Sequence, residues 1–173
     1  GALKNVGFDA ILNIVNERIA NGRFVSINDF IKRINPKDIN KLQLEGLVKA
    51  GAFDSLNNNR QSLFNSIPSI ILYSKNMFEN KLLNQNDLFG NKEDTNDNIL
   101  EEIKDWKFEE KLSKEFHTLG FFMSDHPLNQ FKTLYDEFKI KNYSEFILIN
   151  ESKETNIAAT VLKVQEKKTQ KGN

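Results

Sequence analysis

The sequence contains no cysteine. That excludes disulfides, a thiolate nucleophile and cysteine-ligated zinc. With only two histidines, at 117 and 126, a structural zinc site has almost no ligands to draw on. No apolar run approaches the roughly 20 residues that cross a bilayer as a helix. Charge of one sign is also missing, because 24 basic side chains face 24 acidic ones. Net charge therefore makes no case for nucleic acid or membrane. Arginine is scarce and stands only at Arg18, Arg23, Arg33 and Arg60. A nucleophile elbow, a P-loop and a dinucleotide fingerprint are all absent from the sequence.

What is present is enough apolar material for a core, 39% of 173 residues, in a chain sized for one domain or a small domain with a tail. The balanced charge is unevenly spread. Residues 1–60 carry a net +3 and residues 84–110 a net −6. A basic first third followed by an acidic, Asn-rich middle marks a boundary. Gly1-Ala2-Leu3 reads as the end of a helix, and Lys171-Gly172-Asn173 as a turn awaiting a second strand. The sequence is therefore expected to be a fragment of a longer chain.

Helical spacing dominates the first third. Asp9 is placed to cap a helix whose inner face is Ile11, Ile14, Val15 and Ile19, stopped by Asn21-Gly22. Ser26 with Asp29 resembles a capping box ahead of Phe30, Ile31 and Ile34, and Asn35-Pro36 ends that helix. Asn40 caps a third helix with Leu44, Leu47 and Val48 inward and Gly51 as its stop. A longer helix from Arg60 is expected to kink or divide at Pro68. Residues 81–105 read as a mobile polar linker. Helical periodicity returns at Trp106, with Phe108, Leu112, Phe116 and Leu119. After the turn Ser124-Asp125-His126-Pro127, a further helix carries Leu128, Phe131, Leu134, Tyr135 and Phe138. Ile157 to Val164 is β-branched and reads as a strand, followed by a basic turn from Lys167.

Three short segments bear on function. Lys4-Asn5-Val6-Gly7-Phe8 lies between helices, as a helix-hairpin-helix turn would, where glycine lets backbone N–H groups approach a phosphate. Asn5 stands where such turns commonly have a first glycine, and Asn tolerates left-handed backbone. Leu47 to Asp54, with Gly51, reads either as a second hairpin or as a helix stop with Phe53 packed beneath. Gln85-Asn86-Asp87-Leu88-Phe89 has the shape of a short docking peptide, two apolar side chains in a polar stretch with a glutamine to hydrogen-bond beside them. The acidic residues Glu101, Glu102, Asp105, Glu109 and Glu110 read as a solvated face and not as metal ligands.

In order and wording these segments resemble the alpha subunit of bacterial DNA polymerase III, the C-family replicative polymerase. Ala2 to Gly7 is similar to the family's turn after the fingers, and Ala50-Gly51-Ala52-Phe53-Asp54 to its helix-hairpin-helix region. Gln85 to Gly90 falls where the family carries its internal clamp-binding peptide. Leu119 to Leu128 is similar to its signature before the OB domain, and Ile157 to Val164 with Lys167 to Asn173 to the first OB strand and turn.

The resemblance implies a mostly α fragment of a DNA-directed DNA polymerase, a nucleotidyltransferase. Its parts would be tandem helix-hairpin-helix elements over 1–80, a linker with the clamp peptide over 81–105, a helical segment over 106–150 and the start of a truncated OB-fold over 151–173. It implies a cytoplasmic protein that contacts duplex DNA without sequence preference, the β sliding clamp and other holoenzyme subunits, and no membrane. Lys4, Gly7, Lys49 and Gly51 would meet phosphates, with Lys32, Arg33 and Lys41 as electrostatic support. Gln85, Leu88 and Phe89 would meet the clamp. Catalytic aspartates and their magnesium would lie upstream, so the fragment itself would hold no metal or cofactor and make no bonds. Abundant Asn, Lys, Ile and Phe, with AT-rich codons, fit an AT-rich bacterial genome. The alternative readings are a helical protein-interaction scaffold or a stand-alone helix-hairpin-helix repair protein.

Overall fold

The structure is a computed structural model that describes residues 3–82, 99–148 and 154–167. The chain divides into two compact units, Gly1–Ser124 and Asp125–Asn173. The first holds helices α1 (Phe8–Asn21), α2 (Ile27–Arg33), α3 (Lys41–Lys49), α4 (Arg60–Leu82) and α5 (Phe108–Leu119). The second holds a 3-10 helix (Pro127–Phe131), α6 (Lys132–Glu137) and α7 (Tyr143–Ile147).

Local sequence sets most of these boundaries. Ser26 Oγ accepts from Asp29 N–H at 3.0 Å and starts α2. Asn40 and Gln43 form a full capping box on α3, with bonds of 2.9 and 3.0 Å. Gly22, at φ 82°, follows the last residue of α1. Asp9 does not cap α1. The cap is Gly7, and Asp9 sits in the first turn, where its charge suits the helix dipole.

The core of this unit is one cluster. Phe30 and Ile31 from α2, Leu44, Leu47 and Val48 from α3, and Leu63, Ile67 and Ile70 from α4 are its centre. Each such side chain, fully buried, is worth about 1.5–3 kcal/mol. Phe53 adds its ring edge-on to Phe30, with centroids 5.1 Å apart.

Two expectations about the long helix and its sequel are corrected. Pro68 does not divide α4, which runs unbroken over 23 residues. Pro68 lies on the exposed side, where water can stand in for its missing donor, while Leu63, Ile67 and Ile70 hold the other side in the core. Residues 99–105, read as the end of a linker, are instead strapped along α4. Ser62 Oγ donates to the Glu101 carbonyl at 2.5 Å, and Glu101 N–H donates to Ser66 Oγ at 2.9 Å. Asn59 Nδ2 donates to the Ile103 carbonyl at 2.6 Å, and Asp105 accepts from Gln61 N–H at 3.1 Å. The strap delivers Trp106 to the core. Small buried serines allow the close approach, and their hydroxyls satisfy the strap's backbone.

A buried ionic knot joins the end of α3, the start of α4 and the middle of α5. Arg60 opens α4 and is 3% exposed, and Glu115 on α5 is 0% exposed. Arg60 donates bidentately to Asp54, Nε to Oδ1 at 2.9 Å and Nη2 to Oδ2 at 2.6 Å. It also reaches the Lys49 carbonyl at 3.3 Å, Ser124 Oγ at 2.9 Å and Glu115 Oε1 at 3.4 Å. Glu115 Oε2 accepts the N–H groups of Met123 and Ser124, both at 2.9 Å, and Oε1 the Ser124 hydroxyl at 2.6 Å. Burial pushes the Glu115 carboxyl up, but these hydrogen bonds and the Arg60 charge outweigh it and hold it below its ordinary value.

In the second unit no described residue is buried. The expected single helix from Leu128 is a 3-10 turn opened by Pro127, followed by the short α6. Its chain reverses at Lys139, φ 51°. His126 caps the 3-10 helix, its Nδ1 accepting from Leu128 N–H at 3.2 Å. Asn142 and Glu145 form a capping box on α7. The strand expected over 157–164 is not formed. Among the described residues no segment pairs with it, and a strand exists only through its ladder.

Arg60→Ala leaves the buried Glu115 carboxylate without its cation. It should cost the first unit about 3–5 kcal/mol in chemical denaturation. Glu115→Gln should show the acid side of the same knot. The contribution of Glu115 is complete above its unfolded value of 4.5 and is lost as the pH falls through its lower folded value. The gap in melting temperature between wild type and Glu115→Gln should therefore be widest near neutrality and close below about pH 4.5.

Candidate nucleic-acid interface

The turn before α1 is built by three neighbours. Asn5 takes the left-handed conformation, φ 62°. Lys4 N–H donates to the Thr118 carbonyl of α5 at 3.4 Å. On the other side the turn lies against α3 at Gly46, where an added Cβ would stand 3.0 Å from Val6 Cγ2 and 3.1 Å from the Lys4 carbonyl. Gly46 is the glycine this close approach requires.

Gly7 then caps α1 with no side-chain hydrogen bond to the helix's first N–H groups. Those donors point outward from an exposed terminus that carries the positive end of the dipole. Gly7 also sits beside the first turn of α3, since a Cβ there would be 3.6 Å from Gln43 Nε2. Lys41, two residues before Gln43, is exposed, as is Lys4. The start of α1 thus lies beside the first turn of α3, which its own Asn40–Gln43 capping box closes, and an N-terminus without a side-chain cap suits an anion.

The helix-hairpin-helix motif family matches residues 1–63. The DNA polymerase III subunit alpha of Borreliella burgdorferi is 39% identical over 145 residues, an overlap covering 81% of the chain and 13% of that protein. That of Rickettsia prowazekii is 34% identical over 175 residues, covering 99% of the chain and 15% of the protein. That of Campylobacter jejuni is 32% identical over 172 residues, covering 98% and 14%. The chain belongs to the DNA polymerase III subunit alpha family. It spans 13–15% of the length of these relatives.

Within this alpha-subunit segment the other candidate residues separate by surroundings. Gly51 is left-handed, φ 75°, and a Cβ there would fall 2.2 Å from Arg60 Nη2. Its N–H already bonds the Val48 carbonyl at 3.0 Å, and Phe53 is buried beneath. Gly51 is a helix stop that makes room for the Arg60 knot. Lys49 is engaged by Glu45 at 3.4 Å and lies over the Phe64 ring at 4.9 Å. Arg33 is a structural clasp. It pairs with Glu17 at 2.9 Å and Asp29 at 3.0 Å, donates to the Gly22 carbonyl at 2.8 Å and stacks 4.4 Å over Phe24. Its hydrogen bond to Glu17 leads the interactions that hold the guanidinium above its ordinary value. Lys32 is exposed on α2. Gln85, Leu88 and Phe89 lie outside the described residues. No group of three or more His, Asp or Glu among the described residues could hold a metal ion.

Sequence reasoning missed Gly46, Thr118, Arg60 and Glu115. Gly46 carried a legible signal, since a glycine inside a helix costs about 1 kcal/mol against alanine and so marks a packing reason.

Gly51→Ala should lower the melting temperature by several degrees, because it combines a left-handed alanine with a clash against Arg60. Gly7→Ala, at φ −69° with only an ordinary van der Waals contact to the Gln43 side chain, should change stability by no more than about 1 kcal/mol. Thermal melting of the two variants side by side tests this separation.

Proposed function

We propose that this segment holds duplex DNA by its phosphate backbone behind the active site of a replicative DNA polymerase and tethers that polymerase to the β sliding clamp. The observation that carries the DNA reading is the exposed start of α1, where Gly7 supplies no side-chain cap and the exposed Lys4 precedes it, within a stretch that matches the helix-hairpin-helix motif. Backbone N–H groups and lysines read charge and shape, not base sequence. Lys32 adds long-range attraction. Lys49, Gly51 and Arg33 serve the fold that presents the site.

The clamp reading rests on Gln85-Asn86-Asp87-Leu88-Phe89 and on family membership. Leu88 and Phe89 entering an apolar pocket would supply roughly 3–6 kcal/mol before costs. Ordering the segment offsets much of this, which puts affinity on the order of micromolar. Nucleotide transfer and its magnesium ions belong to the rest of the longer polypeptide, which works in the cytoplasm with other holoenzyme subunits. Residues 157–164 would become the first strand of an OB-fold once further strands pair with them.

Duplex binding by this segment should be weak and fall with salt at a log–log slope near −3 if about three phosphates are neutralised. Lys4→Ala with Lys41→Ala should flatten the slope by about two, whereas Lys49→Ala should leave it unchanged. No binding at the lowest salt would support the scaffold alternative. For the clamp, Leu88→Ala with Phe89→Ala should abolish binding in a clamp titration and leave thermal melting unchanged. Retained clamp binding would remove that peptide as the tether.

A further inference from the structure

The first unit has an apolar cleft that the functions above do not use. It lies between α1 and the turn after α3 and has a volume of about 1080 Å³. Ile11, Ile14, Phe24, Leu47, Phe53 and Leu56 line it. At its rim stand Val25, 82% exposed, and the side chains of Arg18 and Arg23. No acidic residue among the described residues lines it.

The two arginines are informative because the chain uses so few. Of the four, Arg33 and Arg60 each fork onto carboxylates and a main-chain carbonyl within the fold. Planar, multidentate geometry is what arginine offers and lysine does not. Arg18 and Arg23 stand in the same sparse set, yet neither guanidinium has a hydrogen-bond or ion-pair partner among the described residues. Two unanswered forks at the mouth of an acid-free apolar cleft call for an anion joined to apolar groups. A phosphate backbone supplies the first and not the second. A peptide segment with an Asp or Glu among aliphatic or aromatic residues supplies both.

We propose that this cleft receives such a segment, contributed by the longer alpha-subunit polypeptide, so that α1 is an internal docking face on its cleft side. The relatives are several times longer than this chain, so the polypeptide has ample sequence to furnish it. The proposal rests on family membership and not on the DNA or clamp readings, and stands or falls apart from them.

The test uses the full-length alpha subunit with a photo-crosslinking p-benzoylphenylalanine at Val25, irradiated with and without duplex DNA. The expected result is an intramolecular cross-link, the same in both conditions, to a peptide carrying an acidic residue beside apolar ones. Arg18→Gln with Arg23→Gln should lower its yield about tenfold, as the loss of charge-assisted hydrogen bonds implies. Arg18→Lys with Arg23→Lys should fall between. Duplex affinity of these variants should match wild type, because neither side chain belongs to the proposed DNA site. Cross-links to DNA alone, cross-links between two copies, no cross-link, or a yield indifferent to the glutamine pair would each overturn the proposal.

Discussion

The Arg60 guanidinium is the interaction on which the first unit depends. It begins α4, touches the last carbonyl of α3, takes both oxygens of Asp54 and meets the carboxylate of α5. A buried ion pair is weak evidence for net stability, because desolvating two charges is costly. Its force here is directional. Glu115 has two backbone N–H groups, a hydroxyl and a guanidinium around it, so the Phe121–Ser124 loop can turn back only where those donors converge. An apolar pair would fill the space without fixing the loop.

That constraint reaches the proposed DNA surface through α5. Thr118 stands three residues beyond Glu115, and its carbonyl receives Lys4 N–H. α3, whose last carbonyl meets Arg60, presents Gly46 to the other side of the same turn. The turn is thus held between two helices that the knot itself holds. This also reassigns the glycines. The flexibility of Gly51 serves Arg60, and the absent Cβ of Gly46 serves the turn. Asn5, not a glycine, takes the left-handed position. A helix-hairpin-helix turn can therefore lack a first glycine when its supports are rigid and asparagine bears the positive φ.

How much of this was legible follows from which physics is local. The caps at Ser26 and Asn40, the stops at Gly22 and Gly51 and the helical face of Leu44, Leu47 and Val48 are consequences of near neighbours, and the sequence displays them. Long-range pairings are not displayed. Arg60 and Glu115 are 55 residues apart, and nothing near either marks it as buried. Ser62 and Ser66 carry no local sign of their role, because their partner, Glu101, is more than 30 residues on. Pro68 is the converse case, since the helix does not divide there. Its local tendency to break a helix is real, but the core on the opposite face fixes α4 on both sides of it. At the candidate site the turn ahead of α1 was readable. The engagement of Lys49 and Arg33 was not, since a lysine or arginine shows its charge in the sequence and hides its partners.

The second unit shows what local signals achieve without a core. Asn142 and Glu145 cap a helix of five residues, and Pro127 with His126 opens a 3-10 turn. The Tyr135 hydroxyl reaches the Leu128 carbonyl at 2.7 Å, and Asn156 the Phe138 carbonyl at 3.0 Å. Each device selects a conformation and is worth about 1 kcal/mol. Isolated helices shorter than about 12–15 residues are marginal in water, and these are half that length. Meanwhile Phe138, Leu148, Ile157 and Val164 stay more than half exposed. Burial, not capping, supplies most of the free energy of folding. The conformation of this unit is therefore written in its own sequence, while burial among its described residues adds little to its stability.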